Sequence, residues 1–365
     1  MSLSHPLKLS RRRFLLSTGA LGMLGSFLNA QASGLQNARL LLGGTLNSTA
    51  GQFAKLAAVP YSKSLKLPDL IEITPDLEQD GIRAANLFDA NVPTDELCAI
   101  VAPGNTLLAS LIGDQRVHYD FTRWIPLLTA HSAAIVIVRT DSPHTGLRSR
   151  LRNFFIDHSV RLAVSHPTGL ELGALLGLTL LGLQPIAVPG YTKTSDALEA
   201  LKRNEIDAFQ VLPYTLDTSL EEFLAQLPPT VAPLYYSGTL PDTFTDRIPN
   251  FLEAHQQLRH RTPEGNLYEA WQAVSACAYT ALTVALPMLT PHNFIADWVK
   301  ASSDVLQNSS IQHWAEMHHF ALAVGDNASP FLSRATASLN ARLALQRWIS
   351  FNSPRWRDNQ ETRLF

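Results

Sequence analysis

The chain has 365 residues, 46% of them apolar, with 29 Lys and Arg against 31 Asp and Glu and a formal net charge of −2. The apolar share is ample for a large core. The near balance of charge gives no electrostatic reason to bind nucleic acid or anionic lipid.

The first 32 residues contain Lys8, Arg11, Arg12 and Arg13 and no acidic residue. The basic leader, the short apolar middle and the Ala30-Gln31-Ala32 exit follow the three-part plan of an export signal. The middle is too short and too rich in Gly, Ser and Thr for a membrane span, which needs ~20 apolar residues. Ser10-Arg11-Arg12-Arg13-Phe14-Leu15 resembles the twin-arginine signal, with Leu16 where a lysine is usual. Cleavage is expected after Ala32, with no cysteine nearby to carry a lipid anchor. The mature protein would be periplasmic, with no stable membrane insertion. It would keep 333 residues and a net charge of about −6. That length suits two domains. Cys98 and Cys277 could pair in an oxidising compartment; two buried free thiols are the simpler expectation.

Beyond the leader, short apolar runs alternate with helical patterns. "ARLLLGG" predicts a strand and "AGQFAKLAAV" a helix. "DLIEIT", "ELCAIVAP" and "SAAIVIVRT" predict strands, with helices at "GIRAANLFDA" and "NTLLASLIG". The cycle restarts with helix "LRSRLRNFFIDH", strand "RLAVS", helix "ELGALLGLTLLGL" and strand "PIAVPG". It continues through helix "DALEALKRNE", strand "IDAFQVLP", helix "SLEEFLAQL" and strand "VAPLYYSG". From about Arg247 the chain reads as mainly helical, with one strand at "FALAVGD". Such alternation predicts an α/β fold of parallel-rich sheets flanked by helices. "ELGALLGLTLLGL" and "AWQAVSACAYTALTVALPML" mimic membrane spans. The first is too short and the second too polar, so both are expected to be buried helices.

No P-loop, dinucleotide fingerprint or nucleophile elbow occurs. On a helix, His313, Glu316 and His319 would share a face and could bind zinc. The spacing matches neither His-Glu-x-x-His nor its inverse, so a solvated helix end is expected, with no metal and no cofactor. Three segments leave strands and enter helices: Thr45–Gly51, Pro75–Gly81 and Ser165–Gly169. In parallel sheets, ligands settle at the carboxyl ends of strands, where free helix N–H groups and hydroxyls supply donors. Each segment alone also fits ordinary helix capping.

"VRLAVSHPTGLELGALLGLTLLGLQPIAVPGYTKTSDALEALKRNEIDAFQVLP" resembles the second-domain pattern of the solute-binding receptors of tripartite tricarboxylate transporters, the Bug family. "SPHTGLRSRLRNF", "PTDELCAIVAP" and "YDFTRWIPL" resemble further segments of that family, over roughly residues 38–240. The resemblance implies a two-lobed, Venus-flytrap-like type II periplasmic-binding architecture. Residues 35–137 and 238–365 would form one lobe and 138–237 the other, with "IVIVRT" and "LYYSG" crossing between them. It implies no enzyme activity, a small polar or carboxylate-containing ligand, and membrane permease subunits as partners. Thr45, Ser48, Thr49, Gln79, Ser165, His166, Thr168, Gly169, Tyr191 and Asp207 would contact the ligand. Two departures stand out. Gly51 replaces the family's first-loop aspartate. The glycine-rich second loop, whose amides hold a carboxylate, here reads Pro75-Asp76-Leu77-Glu78-Gln79-Asp80, with three acids that would repel an anion. An exported enzyme or metal-binding protein, or a sensor or scaffold without transport, are the alternatives.

Overall fold

The computed structural model describes residues 38–76, 78, 80–91, 98–140 and 159–361. The expected signal (residues 1–32), the helix "LRSRLRNFFIDH" and Gln79 lie outside the described residues.

Two sheets form. The first has the order β11-β4-β10-β3-β1-β2, from β1 (Arg39–Leu42), β2 (Glu72–Pro75), β3 (Cys98–Ala102), β4 (Ile125–His131), β10 (Thr280–Leu286) and β11 (Ala321–Val324). The second has the order β7-β6-β8-β5-β9, from β5 (Ala133–Arg139), β6 (Val160–Val164), β7 (Pro185–Pro189), β8 (Ala208–Val211) and β9 (Val231–Gly238). The two share a plan. Strands β2, β1 and β3 are parallel, as are β7, β6 and β8. The next strand is antiparallel in each case: β10 beside β3, and β5 beside β8.

Strands β4 and β5 are separated only by Ser132. Because β4 and β3 both run antiparallel to β10, β4 ends on the side where the parallel strands of its sheet end. Strand β5 starts where β8 ends, with Ile135 opposite Val211. The one-residue crossing therefore turns the carboxyl ends of both parallel sets towards each other.

Three cores follow from this. Leu40, Leu42, Phe53, Trp298 and Trp314 pack on one face of the first sheet, and Ile135, Ile137, Leu198 and Phe223 on one face of the second. The remaining faces share one continuous core that contains Ile100, Leu107, Val136, Leu162, Leu175, Trp271 and Val274. Helix Asn266–Tyr279 joins it, packing on helices Gly104–Ile112, Leu172–Leu180 and Leu339–Glu361 and on β5, β9 and β10. Cys98 and Cys277 are both buried in this core and are not joined by a disulfide.

One expectation is corrected. "AWQAVSACAYTALTVALPML" is not a single helix: it ends at Tyr279, and Thr280–Leu286 is a strand buried at every residue. β-Branched Thr280, Thr283 and Val284 favour the pleated form. A strand flanked on both sides and covered on both faces loses the alternation that would separate it from a buried helix. Strand β4 was also not predicted. Among the described residues, no helix is long and apolar enough to cross a membrane.

The shared core depends on close approach. A Cβ on Gly104 would collide with the carbonyl oxygens of Cys277 and Thr280. Main-chain atoms cannot rotate away, so Gly104→Ala is expected to destabilise the fold by ~1–3 kcal/mol. A thermal melt with the wild-type midpoint would contradict this packing.

Candidate functional site

On the first bank of the cleft, β1 ends in a tight loop. Ser48 caps helix Thr49–Ser64: its Oγ accepts from Gly51 N at 3.2 Å and its hydroxyl donates to Thr45 O at 2.7 Å. The loop folds so closely over the helix that a Cβ on Gly51 would strike Thr45 O. Thr45, Ser48 and Thr49 are half-buried on this rim.

The acidic segment after β2 lies alongside. Asp76 N donates to Leu42 O and Gly44 O at 3.0 and 3.1 Å, which fastens the two loops together. Its buried carboxylate accepts from Ala84 N at 3.0 Å and Glu78 N at 3.3 Å. It thus occupies the N-terminus of helix Ile82–Asn91, where the dipole favours an anion. Asp80 accepts from Ile82 N at 3.1 Å and pairs with Arg116 at 2.8 Å. Two of the three acids therefore have partners, and Glu78 is exposed.

On the second bank, β6 runs into Ser165–Glu171. Gly169 N donates to His166 O at 2.9 Å, closing a turn. Thr168 Oγ1 lies 2.9 Å from His166 Nδ1, which also accepts from Thr168 N at 3.3 Å. Thr168 therefore does not cap the following helix, which starts at Leu172. Glu171 folds back into the loop: its carboxylate accepts from Ser165 N at 3.2 Å and from the Ser165 hydroxyl at 3.0 Å. Burial pushes the Glu171 carboxyl above the usual range, against the pull of Ser165. Tyr191 follows β7, and its N–H donates to Val164 O at 3.1 Å, beside Ser165.

Asp207 does not belong with these residues. It precedes β8, at the opposite end of the sheet, where Arg161 grips it with two bonds of 2.8 and 2.7 Å. Its role is to tie the amino ends of β6 and β8, because a buried carboxylate needs such a partner. The histidine cluster also disperses. Helix Ser309–Met317 stops before His319, which turns to a φ of 54° and meets the ring of Phe244. Among the described residues, no group of three or more His, Cys, Asp or Glu side chains is placed to hold a metal ion.

Sequence reasoning placed the first crossing at "IVIVRT", whereas the chain passes between the sheets a few residues earlier, at Ser132. His131 ends β4, is 2% exposed and stacks on Phe331 at 3.6 Å. A cavity of about 570 Å³ lies close by, lined by Tyr236, Gly238, Tyr268, Trp271, Tyr279 and Arg334 among others. It shares no lining residue with either loop bank. Glu171 was legible only as an acid inside an apolar run; nothing local predicts that it turns back onto Ser165.

No family model matches the sequence. No curated protein matches it either. Solved structures do match. A TctC solute-binding protein from Polaromonas, without ligand, aligns with a TM-score of 0.62 at 13% identity, over 86% of this chain and 98% of that one. MatC from Rhodopseudomonas palustris with bound malate gives 0.54 at 19%, over 89% and 98%. The periplasmic binding protein BugD gives 0.52 at 13%, over 90% and 97%. The fold is that of the TctC and Bug solute-binding proteins. It is a two-lobed α/β type II architecture, as the sequence resemblance implied.

The crossing between the sheets carries a pH dependence. Burial, and then the charge of Arg334, push His131 down to about 4 from 6.5. The unfolded chain takes up this proton first, so stability is full above pH 6.5 and is lost as pH falls towards 4, by roughly 3 kcal/mol in all. Denaturant titrations at pH 7.5 and 4.5 are expected to show a smaller pH-dependent loss for His131→Phe than for wild type. Equal losses would contradict a buried neutral histidine.

Proposed function

We propose that the protein is a periplasmic solute-binding receptor. It captures a small molecule between two lobes and delivers it to the membrane permease subunits of a tripartite tricarboxylate-type transporter. One lobe is built on the first sheet and the other on the second, with the chain passing between them at Ser132, a few residues before the boundary at 137 expected from the sequence. The observation that carries this reading is the opposition of the two strand-end banks, Thr45–Gly51 with Asp76–Gly81 on one side and Ser165–Glu171 on the other. Strand carboxyl ends in α/β sheets are where ligands settle, and the one-residue crossing at Ser132 makes two such ends share one space. The bound malate of MatC supports a small-molecule ligand. The basic, apolar, small-x-small leader supports export. Closure would be a hinge motion about the crossing.

The test is a thermal-shift panel of dicarboxylates, amino acids, amides, polyamines and aromatic acids. A solute at 100 times its dissociation constant adds ~2.7 kcal/mol to the folded state. At least one saturable upward shift is expected. A panel that produces none at millimolar concentration would contradict the receptor reading.

A further inference from the structure

The donors that a ligand carboxylate would need are already in use. At the end of β6, the Ser165 N–H and hydroxyl both go to Glu171, at 3.2 and 3.0 Å. At the end of β2, the N–H groups of Ala84 and Glu78 go to Asp76, at 3.0 and 3.3 Å. Each bank thus spends these donors on a carboxylate of the chain itself. The second bank is shaped around it: a Cβ on Gly169 would lie 2.8 Å from Glu171 Oε2 and 3.0 Å from Ser165 Oγ. No Lys or Arg occurs in residues 43–48, 76–81 or 165–171, which together carry Asp76, Glu78, Asp80 and Glu171.

We infer that Glu171 and Asp76 are specificity-determining residues that exclude dicarboxylates, and that the solute is an organic nitrogen cation whose N–H groups meet Glu171. The inference rests on the receptor reading. The charge argument is direct: a ligand carboxylate beside such a group is repelled and a cation is attracted, more strongly near a protein surface than in bulk water. A carboxylate offers about four acceptor positions. Glu171 uses two of them on Ser165 and a third on its own N–H, which leaves one for a donor arriving from the cleft. Burial raises the Glu171 carboxyl, as expected of an acid held without a cation beside it.

Calorimetry with malate and 1,4-diaminobutane tests this. The wild-type protein is expected to bind the diamine saturably and to give no heat with malate. Glu171→Gln keeps a side chain that can bond Ser165 while removing the charge, and should weaken diamine binding at least tenfold. Glu171→Ala frees both Ser165 donors and should gain measurable malate binding. If circular dichroism shows that this variant does not fold, Asp76→Ala carries the same malate test at the other bank. Malate binding by the wild type, or diamine binding unchanged in Glu171→Gln, overturns the inference and leaves the receptor reading standing. A wild type that binds other members of the solute panel but not the diamine overturns it likewise. A wild type silent towards the whole panel contradicts the receptor reading itself.

Discussion

Helix Asn266–Tyr279 is the constraint on which the rest depends. It packs against elements of both sheets and merges their inner faces into one apolar core. Its approach is made possible by small residues on its neighbours. Trp271 Nε1 donates to Gly173 O at 3.1 Å, and a Cβ on Gly177 would lie 3.1 Å from the same nitrogen. Gly104 meets its other end. The helix then passes without a break into β10, the strand that the second half of the chain returns to the first sheet. Ser132 N donates to Tyr279 O at 2.9 Å, and Thr239 N to Ser132 O at 2.8 Å, so both passages between the sheets are knotted at one point.

The same knot sets the chemistry of the cleft. Holding the parallel strand ends face to face gathers helix N-termini and loop amides, which makes the space anion-seeking by geometry. The sequence works against that tendency. Asp76 fills one set of amides and Glu171 another, while Arg116 draws Asp80 away at 2.8 Å. Three acids that look mutually repulsive in the sequence are therefore stable because each has a different task. Glu78 faces solvent, Asp76 takes the helix end, and Asp80 takes the arginine. The sheets also touch just past the carboxyl end of β8, where Tyr214 donates to Ala278 O at 3.0 Å and its ring lies 5.6 Å from that of Phe320.

Much of the architecture was legible because its signals are local. Short apolar runs between helical patterns mark β1, β3, β5, β6 and β9 and the helices between them, since a strand covered on both faces reads as a brief apolar run bounded by turns. Ser48 was legible as a cap, because a hydroxyl before a helix has one common use. The misreadings share a cause. Thr280–Leu286 is covered on every side and so has no period to read. The break at Met317 that disperses His313, Glu316 and His319 depends on where the chain must turn to form β11. Asp207 looked like a cleft residue by its place in a resembling segment, but the partner that holds it, Arg161, lies 46 residues away in sequence. Glu171 and Asp76 were visible as charges, whereas the donors they occupy are main-chain groups that only the folded loops bring within reach.

The measurement that bears most directly on the site is amide hydrogen exchange, with and without the solute that stabilises the protein most. A ligand held between the strand ends should slow exchange on both banks at once, in residues 43–51 and in residues 165–173. It should leave the helix at 266–279 unchanged, since its amides are already within the core. Protection confined to residues 236–238 and 266–279 would instead place the solute in the aromatic cavity beside the hinge and contradict a cleft between the strand ends.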